Sequence, residues 1–328
     1  MKLLNLEVEN FRGLPNGHYS FTHPATGAPL PVVLVGGGPS SGKTSLLEAI
    51  IALKESLGSY DVAPEPSRFL RSGARSGRVQ GRWLLTPDEM SRAGLEQPTL
   101  TATLALGDGD AAPAEPNFEE VFSAYSRDPA AEKLEYFPCN RQLVARLGQA
   151  PPDDGGRLRL SSRPDKYAGL EQVLIQLATE DGLGAMAQVD KDGILMRGDH
   201  RDSLAPYKAA VAALCPHIRL GGVDVRDGGA PMVWFLRDNG ARVDLYSLSH
   251  NEQQAVLFAV VYKRFGLNRS ILLIDEPELH IHPQEQRRFL DALAGLGGDA
   301  QIIATTSSSH LLESAPHHAV ILLDARPG

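Results

Sequence analysis

The chain has 328 residues, 42% of them hydrophobic, enough to bury a substantial core as one large α/β domain or as two lobes. Two cysteines, Cys139 and Cys215, imply no disulfide framework, and no uninterrupted apolar run is long enough to span a membrane. A net charge of −8 at pH 7 argues against a surface that coats nucleic acid nonspecifically, and with no basic segment ahead of the first strand a cytoplasmic location is expected. The first element is that strand, in which Leu4, Leu6 and Val8 alternate with polar residues as in a half-buried sheet.

The apolar run Pro31 to Val35 predicts a buried parallel strand. It leads into Gly37, Gly38, Pro39, Ser40, Ser41, Gly42, Lys43 and Thr44, a full GxxxxGK[ST] run. Gly36, Gly37, Gly38 and Gly42 permit backbone angles that side chains forbid, so successive N–H groups converge on a phosphate. Lys43 opens a helix with Leu46, Leu47, Ile50, Ile51 and Leu53 on one side, and the positive end of that helix points at the same anion. This pattern predicts ATP held by residues 37–44 and Ser45, with Lys43 on the β and γ phosphates and the Thr44 hydroxyl on Mg²⁺.

Between Pro66 and Pro87 there is no acid, while Arg68, Arg71, Arg75, Arg78 and Arg82 recur at spacings of three or four. Two readings stand: a solvated strand edge whose charges complement acidic neighbours, or a contact for nucleic-acid phosphates. Trp83 to Leu85 and Leu100 to Leu104 are expected to pair as antiparallel strands, followed by a Gly/Ala/Pro/Asp loop over Gly107 to Pro116. Glu135 to Gln142 reads as a strand with a polar exit. A second polar loop, Pro151 to Gly156, precedes helices over 170–177 and 206–214 and strands over 219–225 and 232–236 around a Gly228-Gly229 turn.

Ser249 and Glu252 form a capping box that starts a largely apolar helix through Ala255, Val256, Phe258, Ala259 and Val260. About 230 residues after the first phosphate motif, Ile271-Leu272-Leu273-Ile274-Asp275-Glu276 reads as a buried strand ending in two acids. Asp275 is placed to hold Mg²⁺ and Glu276 to orient the attacking water. Gln301 to Thr305 and Ala319 to Asp324 complete the predicted strands.

The run Asp275-Glu276-Pro277-Glu278-Leu279-His280-Ile281-His282-Pro283 resembles the Walker B and D-loop region of ABC-type ATPases in the RecF-like, OLD-like and SMC-head-like branch. Asn10-Phe11-Arg12-Gly13 resembles the turn that opens those proteins, and Leu248 to Gln254 falls where they carry an LSxGE signature. The resemblance implies that ATP is sandwiched in a homodimer, with Ser249 and Asn251 docking on the γ-phosphate of a second copy. It also places Gln142, with Arg141 beside it, in the Q-loop that senses Mg²⁺ and γ-phosphate.

Two positions depart from the pattern. Asn251 replaces the signature glycine, and Ser307 stands where the family has a switch histidine, His310 being three residues on. Serine donates a hydrogen bond but carries no positive charge to the transition state, which implies slow hydrolysis.

The expected fold is α/β: a P-loop NTPase of the ABC-ATPase head type, one domain over 1–328. It has a mixed β-sheet lobe at about 1–147 plus 268–328 and a mainly helical lobe at about 157–267. No heptad array is long enough for a coiled-coil arm, and no Toprim nuclease is expected past the 319–324 strand. Two functions fit. One is an ATPase coupled to DNA, in repair or in defence against phage. The other is a slowly hydrolysing, ATP-gated scaffold that holds a separately encoded effector protein. No membrane partner is expected.

Overall fold

The computed structural model describes residues 1–61, 63–107, 118–123, 125, 132–144, 156–186, 202–225 and 230–323. The expected loops at 108–116 and 151–155, the Gly228-Gly229 turn and Asp324 lie outside the described residues. The chain divides into two compact units. The first holds Met1–Asn140, Asp154–Arg163 and Gly266–Gly328; the second holds Arg141–Asp153 and Pro164–Phe265.

In the first unit, a parallel sheet runs in the order β12 (Val320–Leu323), β3 (Val32–Gly37), β11 (Gln301–Thr305), β10 (Ile271–Asp275), β6 (Leu134–Phe137). Every residue of β10, β11 and β6 is buried, which is why β10 reads as a continuous apolar run up to Asp275 instead of an alternating one. The register sets Leu273 opposite Ile303 and Ile303 opposite Val33, so the strands end at a common level beside the loops that follow them.

A four-stranded antiparallel sheet in the same unit has the order β2 (Gly17–Ser20), β1 (Lys2–Glu9), β4 (Ser76–Leu84), β5 (Thr99–Gly107). Trp83 pairs with Leu100, as the sequence predicts. In β1 the expected alternation holds at Leu6 and Val8 but shifts before them. A register irregularity between Leu3 and Asn5 puts Leu3 in the core and leaves Leu4 half-buried.

Helix α1 (Lys43–Leu57) packs Leu46, Leu47, Ile50 and Leu53 into this core, while Ile51 is half-buried at its margin. Gly81 in β4 makes the approach possible, since a Cβ there lies 2.6 Å from Leu53 Cδ2. Trp83 closes the layer edge-on to Phe122 of α3 (Phe118–Phe122), with ring centroids 5.1 Å apart. The short α2 (Pro87–Ala93) is held by a complete capping box between Thr86 and Glu89.

Of the arginine series, Arg71 faces inward. Its Nε donates to Arg12 O at 2.9 Å, its guanidinium also reaches Asn10 Oδ1 at 3.3 Å and Leu14 O, and its own N–H donates to Asn10 O. It thereby fixes a turn in which Asn10 and Arg12 both have positive φ, 55° and 38°. Arg71→Met is expected to cost about 2–4 kcal/mol of stability by stranding these acceptors, measured as a shifted urea midpoint at unchanged m-value.

The second unit contains α4 (Leu170–Met186), α5 (Ala205–Leu214) and α6 (His250–Phe265), with an antiparallel sheet of β7 (Ile218–Val225), β8 (Pro231–Arg237) and β9 (Arg242–Asp244) in that order. Helix α6 is buried continuously from Gln254 to Tyr262, which makes it the central element of the unit. The unpredicted β9 closes a hairpin through Asp238-Asn239-Gly240, an Asn-Gly turn signal present in the sequence. A Cβ on Gly221 would lie 2.1 Å from the Trp234 ring, so only glycine lets the indole lie across β7. No helix among the described residues is long and apolar enough to cross a membrane.

Candidate nucleotide site

The loop between β3 and α1 is built to surround an anion. Gly37, Ser40 and Gly42 have φ of 150°, 58° and 99°, and these turn successive N–H groups inward. Gly37 is irreplaceable on space as well as angle: a Cβ lies 2.5 Å from Ser41 Oγ and 2.6 Å from Leu323 O. Gly42 is the N-cap of α1; no side chain caps the helix and no acid occupies its first turn, so its end N–H groups stay available. Gly38, Pro39 and Ser40 form the exposed crest, and Ser45 is half-buried on α1.

Lys43 folds back over this loop, its Nζ donating to Gly37 O at 2.9 Å and Gly38 O at 3.0 Å. Ser41 Oγ is buried without a hydrogen-bond partner and lies against the loop. An ammonium, open helix amides and an unmatched hydroxyl together suit a polyphosphate.

The acids meet this loop from β10. Thr44 Oγ1 lies 3.1 and 3.0 Å from the two carboxylate oxygens of the buried Asp275, an all-oxygen pair that suits Mg²⁺. Thr305 Oγ1 donates to the same carboxylate. Glu276 leaves the strand with φ 51°, and its N–H donates to Thr305 O and Oγ1 at 3.2 and 3.0 Å. Ser307 Oγ donates to Glu276 Oε1 at 3.1 Å. Desolvation, then the charge of Asp275 to which it donates a hydrogen bond, pushes the Cys139 thiol above its usual range.

Lys43, Thr44, Asp275, Glu276 and Ser307 therefore gather in the first unit at the ends of β3, β10 and β11, where ligands bind in parallel sheets. His310 is exposed on α8 (Ser309–Ser314), and His282 caps α7 (Pro283–Leu296), its Nδ1 accepting from Gln284 N–H at 3.4 Å. Sequence reasoning missed Thr305, Glu278 and Cys139, whose roles arise from contacts between strands distant in the chain. The hydroxyl run Thr305 to Ser309 is a sequence signal for Thr305 alone.

The nominated signature and Q-loop residues belong to the second unit. Ser249 and Glu252 form the predicted box: Ser249 N–H donates to Glu252 Oε2 at 2.6 Å and Glu252 N–H to Ser249 Oγ at 3.4 Å. Arg237 adds Nε and guanidinium contacts to Glu252 at 3.2 and 2.8 Å, and Asn251 is half-buried in the first turn. Arg141 is buried, with Nε 2.6 Å from Gln254 Oε1 and its guanidinium 5.2 Å over the Phe258 ring, while Gln142 is exposed.

Among the arginines of the series, Arg78 lies 3.9 Å from Glu7 and 3.6 Å from Glu9, and Arg68 lies 3.4 Å from Glu65. Arg75 and Arg82 are exposed.

This fold and loop define a P-loop nucleotide-binding protein with the fold of SMC heads. Two solved structures share the fold. An SMC head bound to the C-winged helix domain of ScpA has a TM-score of 0.55 at 14% identity, over 96% of this chain and 93% of that one. The Smc head with an extended coiled coil, bound to the C-terminal domain of ScpA from Pyrococcus furiosus, gives 0.50 at 13% identity over 96% and 92%.

Residues 113–313 match the family described as "AAA domain, putative AbiEii toxin, Type IV TA system", and the chain belongs to it. A 53-residue stretch is 42% identical to the Septu protein PtuA of Bacillus thuringiensis, spanning 16% of this chain and 13% of that protein.

Proposed function

We propose that the protein binds ATP·Mg²⁺ through Lys43, Thr44 and Asp275 and hydrolyses it slowly, with Glu276 orienting the attacking water. The observation that carries this is the convergence of a P-loop lysine, a threonine–aspartate oxygen pair and a second carboxylate held by Ser307. Thr44 and Asp275 would hold the Mg²⁺, which would supply neutralisation of the phosphate charge.

Lys43 exchanges its contacts to Gly37 O and Gly38 O for phosphate oxygens. Gly42 and the first turn of α1 offer free amides. Ser307 keeps Glu276 oriented but brings no charge, whereas a histidine there would add a cation facing the developing oxyanion. Ser249 and Asn251 complete the site of a second copy, so the active form is an ATP-bound homodimer in the cytoplasm. Its work is repair or defence against invading DNA, with Arg75 and Arg82 as the exposed candidates for phosphate contact. The toxin named in the family description supports the defence side.

A second reading, an ATP-gated scaffold that holds a separate effector protein, is favoured by Asn251 and Ser307, which stand where the family pattern has a glycine and a histidine. The ScpA domains bound by the two SMC heads support a protein partner. Phosphate release from ATP·Mg²⁺, with and without duplex DNA at low and high salt, separates the two. DNA-stimulated turnover that fades with salt supports the DNA machine. Tight ATP binding with little turnover in either condition supports the scaffold. Ser307→His is expected to raise turnover about tenfold or more; no gain would remove Ser307 as the cause of slowness.

A further inference from the structure

Two residues beyond Glu276, a third carboxylate is turned toward the segment that carries Ser307. Glu278 Oε1 accepts Thr306 Oγ1–H at 2.6 Å and Ser307 N–H at 2.9 Å. The rest of that turn is pinned on either side. Thr306 N–H donates to Val35 O at 2.9 Å, Ser308 N–H to Thr306 Oγ1 at 3.0 Å, and Ser308 Oγ to Gln286 Oε1 at 2.6 Å. Ser307 is exposed, its backbone tied to Glu278 and its side chain tied to Glu276.

We propose that Glu278 is a positioning residue for ATP hydrolysis, acting through the 306–307 backbone to hold Ser307 against Glu276. The inference rests on the ATPase reading. A glutamate side chain has several rotamers, and the Ser307 hydrogen bond favours the one in which Glu276 stands; Glu278 sets where that hydroxyl stands. One carbonyl-type oxygen suffices for both hydrogen bonds, so glutamine can replace glutamate here, whereas alanine cannot.

The test compares Glu278→Ala and Glu278→Gln in steady-state ATP turnover, ATP binding at equilibrium and amide hydrogen exchange over 305–308. For Glu278→Ala we expect kcat to fall about tenfold to a hundredfold with KM for ATP within about twofold of wild type. The Ser307 amide should exchange at least about tenfold faster. Glu278→Gln should match wild type in all three.

Unchanged kcat in Glu278→Ala, loss of ATP binding together with turnover, unchanged exchange, or a glutamine variant as poor as alanine would each overturn the proposal. A wild-type protein that binds ATP but releases no phosphate would overturn the ATPase reading and this inference with it. Fast exchange in Glu278→Ala at full turnover would overturn this inference alone.

Discussion

Glu276→Gln is expected to lower ATP turnover by about 10²–10⁴-fold while leaving ATP affinity near that of the wild type. The amide keeps the length of the side chain and still accepts the Ser307 hydroxyl, and the backbone N–H keeps its contacts to Thr305. What disappears is the negative charge that polarises water. Thr44 and Asp275, the pair proposed to hold Mg²⁺, are untouched. Phosphate release alongside equilibrium binding of ATP checks this. Turnover within about tenfold of wild type would transfer the water-orienting role to another group.

Lys54→Met is expected to remove a pH dependence of stability. Lys54 lies on α1 with no exposed surface, 2.7 Å from Glu55 Oε1 and 2.8 Å from the centroid of Tyr60. Desolvation outweighs the opposing attraction of Glu55 and brings its pKa down to about 7. The folded protein thus releases this proton near pH 7, whereas an unfolded lysine keeps it up to about pH 10.4. Across that window unfolding takes up a proton, so stability rises with pH by up to about 1.4 kcal/mol per unit. The contribution is full above the unfolded value and lost as pH falls through the folded one. Denaturation midpoints from pH 7 to 10 should climb less in Lys54→Met than in wild type; parallel curves would show that Lys54 remains charged.

The phosphate loop was legible because strand, glycines, lysine and helix are contiguous, and β10 because four aliphatic residues precede Asp275. The capping box at Ser249 and Glu252 was legible for the same reason: its partners are three residues apart. Thr305 was not, since its two bonds go to residues 29 and 30 positions away that become neighbours only when β11 pairs with β10. The shift at Leu3 escaped because a bulge leaves no mark in a hydrophobic alternation. The inward course of Arg71 depends on acceptors 57 to 61 residues earlier in the chain, so composition alone made it look like its exposed neighbours.

Among the described residues, strand β3 has β11 and β12 beside it, and both lie beyond residue 300. On the ribosome, the nascent chain therefore carries Val33, Leu34 and Val35 with no sheet partner for tens of seconds, at roughly 5–20 residues per second. Chains stalled before Gln301 would expose this apolar strand to chaperones and to aggregation, and would have no formed loop for ATP.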